Sequence, residues 1–253
     1  MASTSDTSDH FLLSRAEDIL EQSDRHGAPC YLGFLDLREQ AVLRKYLSHF
    51  SSTCYAFIGG YDSAERCLLS AYPDYYSVDD LQPPITSIAF RYRPVAHLTH
   101  RDFLGTLMSV GIRRDKIGDI LCGDGLAVVF VRSEVADYVG EQIDRVGGEG
   151  VTPELNYDGD LPIRREYEEI HDTVASPRLD AVLKCLTRFS REKAAESIRL
   201  GLVSVDHLPV ESVSLSVTAP CTISVRGMGR YLVDSIGPPT KKGRLILTAR
   251  KCI

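Results

Sequence analysis

Apolar residues recur at three- and four-residue spacing in Arg15-Ala-Glu-Asp-Ile-Leu20 and in Arg38-Glu-Gln-Ala-Val-Leu-Arg-Lys-Tyr-Leu47, the pattern of helices with one buried face. Cys54-Tyr-Ala-Phe-Ile58 reads as a short strand ending at the Gly59-Gly60 turn, and Ser63 is placed to cap another helix. Residues 1–80 are therefore expected to form a mainly helical N-terminal domain, closed by a connector in which Pro83-Pro84 stops any helix. From Ile85 the pattern changes to alternating strand and helix. Ile85 to Tyr92 reads as a strand, and Thr99 opens a helix that runs to Val110 and stops at Gly111. Ile112 to Ile120 reads as a short basic turn or helix. Leu126 to Val131 is a buried strand, Ser133 caps a helix over Glu134 to Val146, and Val151 to Leu155 returns as a strand.

This predicts an α+β chain whose middle domain, residues 81–161, is a sheet with helices on one face. In outline that domain is similar to an RNA-recognition fold, without the aromatic stacking signature of that family. Residues 162–175, part of an acidic and turn-rich stretch, read as a linker.

In the last third, Ser176-Pro177 looks like a helix start. Leu179, Val182, Leu183 and Leu186 then share one face, and Asp180, Lys184 and Arg188 lie opposite. Ser190 is placed as the N-cap of a second helix that buries Ala194, Ala195 and Ile198 and ends at Gly201. Leu202–Val205, Val213–Val217 and Cys221–Val225 alternate as strands. Arg226 to Arg230 forms a basic turn, and Lys241-Lys-Gly-Arg244 a basic hairpin turn before a final strand.

Charge changes the picture. The chain of 253 residues has a net charge of −6, yet residues 178–253 carry 13 Lys+Arg against 6 Asp+Glu, leaving −13 on residues 1–177. A polyanion partner confined to the C-terminal module follows from that split. Arg191 and Lys193 fall in the first turn of the second helix, where cations oppose the helix dipole; a phosphate there would turn the cost into a gain. Arg113, Arg114 and Lys116 form a second basic cluster, either a complement to a helix C-terminus or a second RNA contact.

Other chemistry is thin. The cysteines at 30, 54, 67, 122, 185, 221 and 252 lack C-x-x-C or ligand spacing, which fits reduced thiols and no metal site. His97 and His100 beside Thr99 and Asp102 fit capping or acid–base work, with no nucleophile near them in sequence. Gly59-Gly60-Tyr61 is a tight turn or, less economically, a methyl-donor loop. There is no apolar run long enough to span a membrane, and the N-terminus lacks signal-peptide features, so a cytoplasmic location is expected.

Arg178-Leu179-Asp180, Ser190-Arg191-x-x-Ala194, Ile198-x-x-Gly201-x-Val203-x-Val205 and Ile223-Ser-Val-Arg-Gly227 resemble the S-four (alpha-L) RNA-binding domain, over about residues 176–236. Asp206 stands where that domain expects Asn, and Ala219-Pro220 replaces an acidic turn. Phe34-Leu35-Asp36-x-Arg38-Glu39-Gln40, Gly59-Gly60-Tyr61-x-x-Ala64-Glu65-Arg66 and Gly111-Ile112-x-Arg114-x-Lys116-Ile117-Gly118-Asp119-Ile120 are similar to the YlmH family. So is Val225-Arg226-Gly227-x-Gly229-Arg230 followed by Lys241-Lys242-Gly243-Arg244, while Leu37 stands where the family often has proline.

The resemblance implies a bacterial, non-enzymatic RNA-binding protein whose C-terminal module, residues 176–253, docks two helices and a small sheet on structured RNA. It implies ribosomal RNA, tRNA and the large ribosomal subunit as partners in ribosome-associated quality control, with cell-division proteins as further candidates. The expected RNA contacts are Arg178, Lys184, Arg188, Ser190, Arg191, Lys193, Arg199, Arg226, Arg230, Lys241 and Lys242. No catalytic residue, cofactor or metal is expected. A pseudouridine synthase is expected to need a catalytic domain after the module, and no tyrosyl-tRNA synthetase signature occurs. The competing readings are an RNA-modifying enzyme, of pseudouridine synthase or methyltransferase type, and a division-linked adaptor.

Overall fold

The computed structural model describes residues 4–48, 54–163 and 166–253. The chain divides into two compact units, Met1–Arg164 and Arg165–Ile253.

The first unit opens with α1 (Thr4–His26), β1 (Cys30–Leu35), α2 (Leu37–Leu47), β2 (Tyr55–Ile58) and β3 (Cys67–Ala71), the strands forming an antiparallel sheet in the order β1-β3-β2. Asp36 starts α2: its carboxylate accepts the Glu39 N–H at 2.8 Å while the Glu39 carboxylate accepts the Asp36 N–H at 2.7 Å, a capping box. Leu12, Ala16 and Ile19 of α1 and Leu43 and Leu47 of α2 close over Leu32, Leu69 and Ala71. The described part of the first 80 residues is thus a two-layer assembly, two helices packed on a three-stranded sheet. In place of the helix expected after Ser63, the chain turns into β3. Every residue of that central strand is buried, so it shows no alternation to read.

Next come β4 (Ile85–Arg91), α3 (His100–Ser109), β5 (Ile117–Cys122), β6 (Leu126–Arg132), α4 (Ala136–Gln142), β7 (Arg145–Val146), β8 (Glu149–Gly150) and β9 (Thr152–Leu155). Four strands form an antiparallel sheet in the order β5-β6-β4-β9, the split βαββαβ connection. Thr99 and Asp102 form the capping box of α3, and Gly111 at φ +88° follows its end. Most of the stretch expected as a basic turn or helix, Ile112 to Ile120, is a 3-10 turn at Arg114–Lys116 running into β5. The expected helix to Val146 stops at Gln142, where Ile143 is already extended, and Gly147 and Gly148 at positive φ then form the turn of the β7–β8 hairpin.

One face of this sheet packs Ile88, Phe90, Val129 and Val131 against Phe103 and Leu107 of α3 and Val139 of α4. The other face, Ala89, Val128 and Phe130, is not open: Phe34 of β1 and Leu68 of β3 lie on it. The division expected near residue 80 separates two sheets that share this one core. Close approach requires glycine there, since a Cβ on Gly60 would sit 2.0 Å from Phe130 Cδ1.

The second unit contains β10 (Tyr167–Val174), α5 (Leu179–Thr187), α6 (Arg191–Arg199), β11 (Val203–Val205), β12 (Leu208–Pro209), β13 (Cys221–Val225), β14 (Gly229–Pro239) and β15 (Leu245–Cys252). They form an antiparallel sheet in the order β10-β15-β14-β13-β11-β12. Strand β10 lies inside the stretch expected as a linker. Leu179, Val182, Leu183, Ala194 and Ile198 of the helices are buried with Ile223, Tyr231, Val233, Leu247 and Ala249 of the sheet. Val213–Val217, expected as a strand, instead serves the helix: the Val213 and Leu215 carbonyls accept the Asp180 and Leu179 N–H groups at 3.3 and 2.8 Å. That contact explains why α5 begins at Leu179 and not at Ser176-Pro177.

Two glycine substitutions test the shared core. Gly60→Ala is expected to destabilise the first unit by about 1–3 kcal/mol through collision with Phe130. Gly105→Ala, in α3 with nothing within 4 Å of its Cβ, is expected to stabilise it by about 0.5–1 kcal/mol. Calorimetric unfolding of the full chain measures both.

Candidate nucleic-acid interface

The basic surface of the second unit is organised around a carboxylate. Asp180, placed by helical spacing on the polar face of α5, is buried, with its side chain 4% exposed. Arg178 Nε donates to its Oδ1 at 3.1 Å and Arg191 Nε to its Oδ2 at 2.9 Å. Burial works against the charged form of Asp180, but the hydrogen bonds from Arg178 and Arg191, together with their charges, hold its carboxyl below the ordinary carboxylate value. One anionic side chain therefore fixes an arginine just before α5 and another at the start of α6. Both guanidinium groups remain substantially exposed, 45% and 63% for their side chains.

Ser190 caps α6 by accepting the Lys193 N–H at 3.2 Å. Lys193 extends its ammonium over the Phe189 ring, 4.2 Å from the centroid. The two cations of this helix's first turn are thus supported by a carboxylate and an aromatic face. Lys184, Arg191 and Arg244, with Ser176, line a cavity of about 190 Å³. Arg244, which the sequence reading left out of the contact set, is anchored there by Thr173, whose hydroxyl accepts from its Nε at 2.8 Å. Its membership could have been foreseen only from the strand register that sets Thr173 beside Ile246.

The remaining expected contacts separate by place. Arg188 is the exposed C-cap of α5 at φ 59°, lining a different cavity with Glu168, Glu169 and Lys251. Arg199 is exposed at the C-terminus of α6. Arg226 is exposed in the β13–β14 turn, with Arg230 partly buried just beyond it. Lys241 and Lys242 are exposed in the turn that joins β14 to β15. Asp206, in place of the expected Asn, adopts φ 47° and accepts the Thr222 N–H at 2.8 Å, so the turn keeps its geometry.

In the first unit the cluster of Arg113, Arg114 and Lys116 splits. Arg113 pairs with Asp115 at 2.9 Å and Lys116 pairs with Glu134, while Arg114 turns inward to backbone carbonyls. Thr99 and Asp102 serve as a cap, and the Gly59-Gly60 pair fits against Ala64 and Phe130. Among the described residues no group of three or more His, Cys, Asp or Glu could hold a metal, and no helix is long and apolar enough to cross a membrane.

Residues 78–156 match the family described as "Putative RNA-binding domain in YlmH". The chain is also 35% identical over 217 residues to "Ribosome-associated protein quality control protein P2" of Bacillus subtilis (strain 168), covering 85% of this chain and 84% of that protein. The chain belongs to the YlmH family. A solved structure, "Cell division protein ylmH from Streptococcus pneumoniae", is 19% identical with a TM-score of 0.48, covering 61% of this chain and 93% of that one. The YlmH match of residues 78–156 lies within the first unit, apart in sequence from the Asp180-centred cations of the second.

Replacing the organising carboxylate tests its role. Asp180→Asn is expected to cost the second unit about 1.5–3 kcal/mol at neutral pH, the scale of hydrogen bonds to a charged group. Because the folded carboxyl is held below its unfolded value, this contribution is complete above the ordinary carboxylate range and is lost as pH falls through the folded value. Denaturation of wild type and variant across that range should show the difference shrinking toward acid.

Proposed function

We propose that this protein is a non-enzymatic RNA-binding protein that docks its second unit, an alpha-L module, on structured RNA of the ribosome. The observation that carries the reading is the pair of arginines fixed by Asp180, one of which, Arg191, lines a cavity with Lys184 and Arg244. Guanidinium forks preset by a buried carboxylate lose little freedom on meeting a phosphate, and a helix N-terminus adds backbone donors at the same place. Arg226, Arg230, Lys241 and Lys242 extend the electrostatic surface along the sheet turns. Readout of this kind reports backbone shape rather than base sequence, as expected for folded RNA.

The Bacillus subtilis relative is named for ribosome-associated protein quality control. On that relation we assign the partner as ribosomal RNA with tRNA on the large subunit, and the setting as quality control of translation in the cytoplasm. The middle sheet has the strand order of an RNA-recognition fold. It acts here as a body rather than a stacking platform, because Phe34 and Leu68 cover the face on which bases would stack.

The full chain binding tRNA or large-subunit RNA should show log affinity falling with log salt at a slope of about −3 to −5, for roughly 4–6 phosphate contacts. Lys184→Ala with Lys193→Ala, which leaves the Asp180 pairs intact, should reduce that slope by about 2 and weaken binding without altering the unfolding curve. A flat salt response, or unchanged affinity in a folded double variant, contradicts the assignment.

A further inference from the structure

Arg66 and Arg114 enter the same place from two different sheets of the first unit. Arg66, just before β3, donates from Nη2 to the Phe34 carbonyl at 2.9 Å and from Nε to the Ile117 carbonyl at 3.0 Å. Arg114 donates from Nη1 to that same Ile117 oxygen at 2.8 Å. Two guanidinium groups thus meet at one carbonyl, and among the described residues neither forms an ion pair.

The nearby carboxylates are committed elsewhere. Asp36 and Glu39 cap α2, and Asp115 pairs with Arg113. Asp119 accepts the Tyr61 hydroxyl and the Glu65 and Arg66 N–H groups at 2.9, 2.7 and 3.0 Å. Burial lowers both arginines, against the charges of Asp36, Glu39 and Asp119, which act on both, and of Asp115, which acts on Arg66; for Arg114, brought to about 10, the Arg66 charge is the next cause after burial. His100 at the start of α3 is held below its ordinary value by surrounding protein and then by Arg114, with Arg66 adding to it against Asp119. The hydrogen bonds of these groups use Nε and Nη2 of Arg66 and Nη1 of Arg114, and among the described residues no nitrogen of either is buried without a partner. Two fixed forks of like charge, hydrogen-bonded through their guanidinium groups to backbone carbonyls and to no carboxylate among the described residues, keep N–H groups that suit a tetrahedral anion.

A second observation bears on which anion. The segment matching the RNA-binding family description, 78–156, has its open sheet face closed by Phe34 and Leu68. RNA can reach it only at the perimeter, and Arg114 lies on that perimeter. We propose that Arg66 and Arg114, flanked by His100, form a seat for one backbone phosphate of RNA at the seam of the two sheets of the first unit. This rests on the RNA-binding reading and adds to it a contact outside the alpha-L module.

The test uses the full chain, following the His100 ring by NMR during titration with inorganic phosphate and with a folded RNA. Either probe should raise the His100 midpoint, and Arg114→Gln should abolish the rise. Arg114→Gln should also weaken RNA binding about tenfold and reduce the salt slope by about 1. Arg113→Ala, removing an exposed charge already paired with Asp115, should change affinity less than about twofold. If calorimetry shows that Arg114→Gln does not fold, Arg66→Lys, which keeps the charge but loses the fork, should show the same loss of the His100 response.

A midpoint unmoved by both probes overturns the seat, as does equal loss from Arg113→Ala and Arg114→Gln. Movement with phosphate but not with bound RNA leaves a free-anion site and overturns the RNA assignment. Failure of the wild type to bind RNA at all, with the phosphate response intact, would sink the functional reading while leaving the anion seat standing.

Discussion

Asp180 keeps its charge in surroundings that would otherwise remove it, and the second unit's basic surface depends on that. A buried carboxylate costs desolvation free energy unless cations and hydrogen bonds offset it. Here the offsetting groups are the arginines that the surface displays. Without Asp180, Arg178 and Arg191 would lose the partner they share. With it, they become fixed donors whose outer faces stay in solvent, and the cations at the α6 N-terminus no longer oppose the helix dipole uncompensated.

A comparable constraint shapes the first unit by closing a surface. The four-stranded sheet buries both faces, one under α3 and α4 and the other under β1 and β3. Gly60 and Gly118 permit the aromatic side chains of Phe130 and Phe34 to come close. With both faces covered, the sheet is a rigid scaffold. Any nucleic-acid contact is displaced to loops and edges, where charge and hydrogen-bond geometry replace stacking.

How much of this was legible in the sequence follows from where local signals coincide with tertiary roles. Thr99 and Asp102 announced α3, and Cys221–Val225 alternated because that strand buries one side chain in two. Strand β3 gave no period because both of its faces are covered. Strand β10 read as a linker since it is an acidic, largely exposed strand at the sheet's edge, whose pairing with β15 no local pattern declares. For the site, the sequence marked the cations of α5 and α6 but placed Asp180 among solvent-facing groups. It also grouped Arg114 with its neighbours. Partners far along the chain decide both: Arg191 for Asp180, and Arg66 for Arg114.

The central claim is that a preset cationic surface in the second unit engages structured ribosomal RNA. Crosslinking the protein to RNA in living cells, then sequencing the RNA and locating the adducts on the peptides by mass spectrometry, addresses it most directly. The account predicts large-subunit ribosomal RNA and tRNA, with adducts on peptides spanning residues 178–199 and 226–244. Messenger RNA alone, or adducts absent from both of those spans, would contradict it.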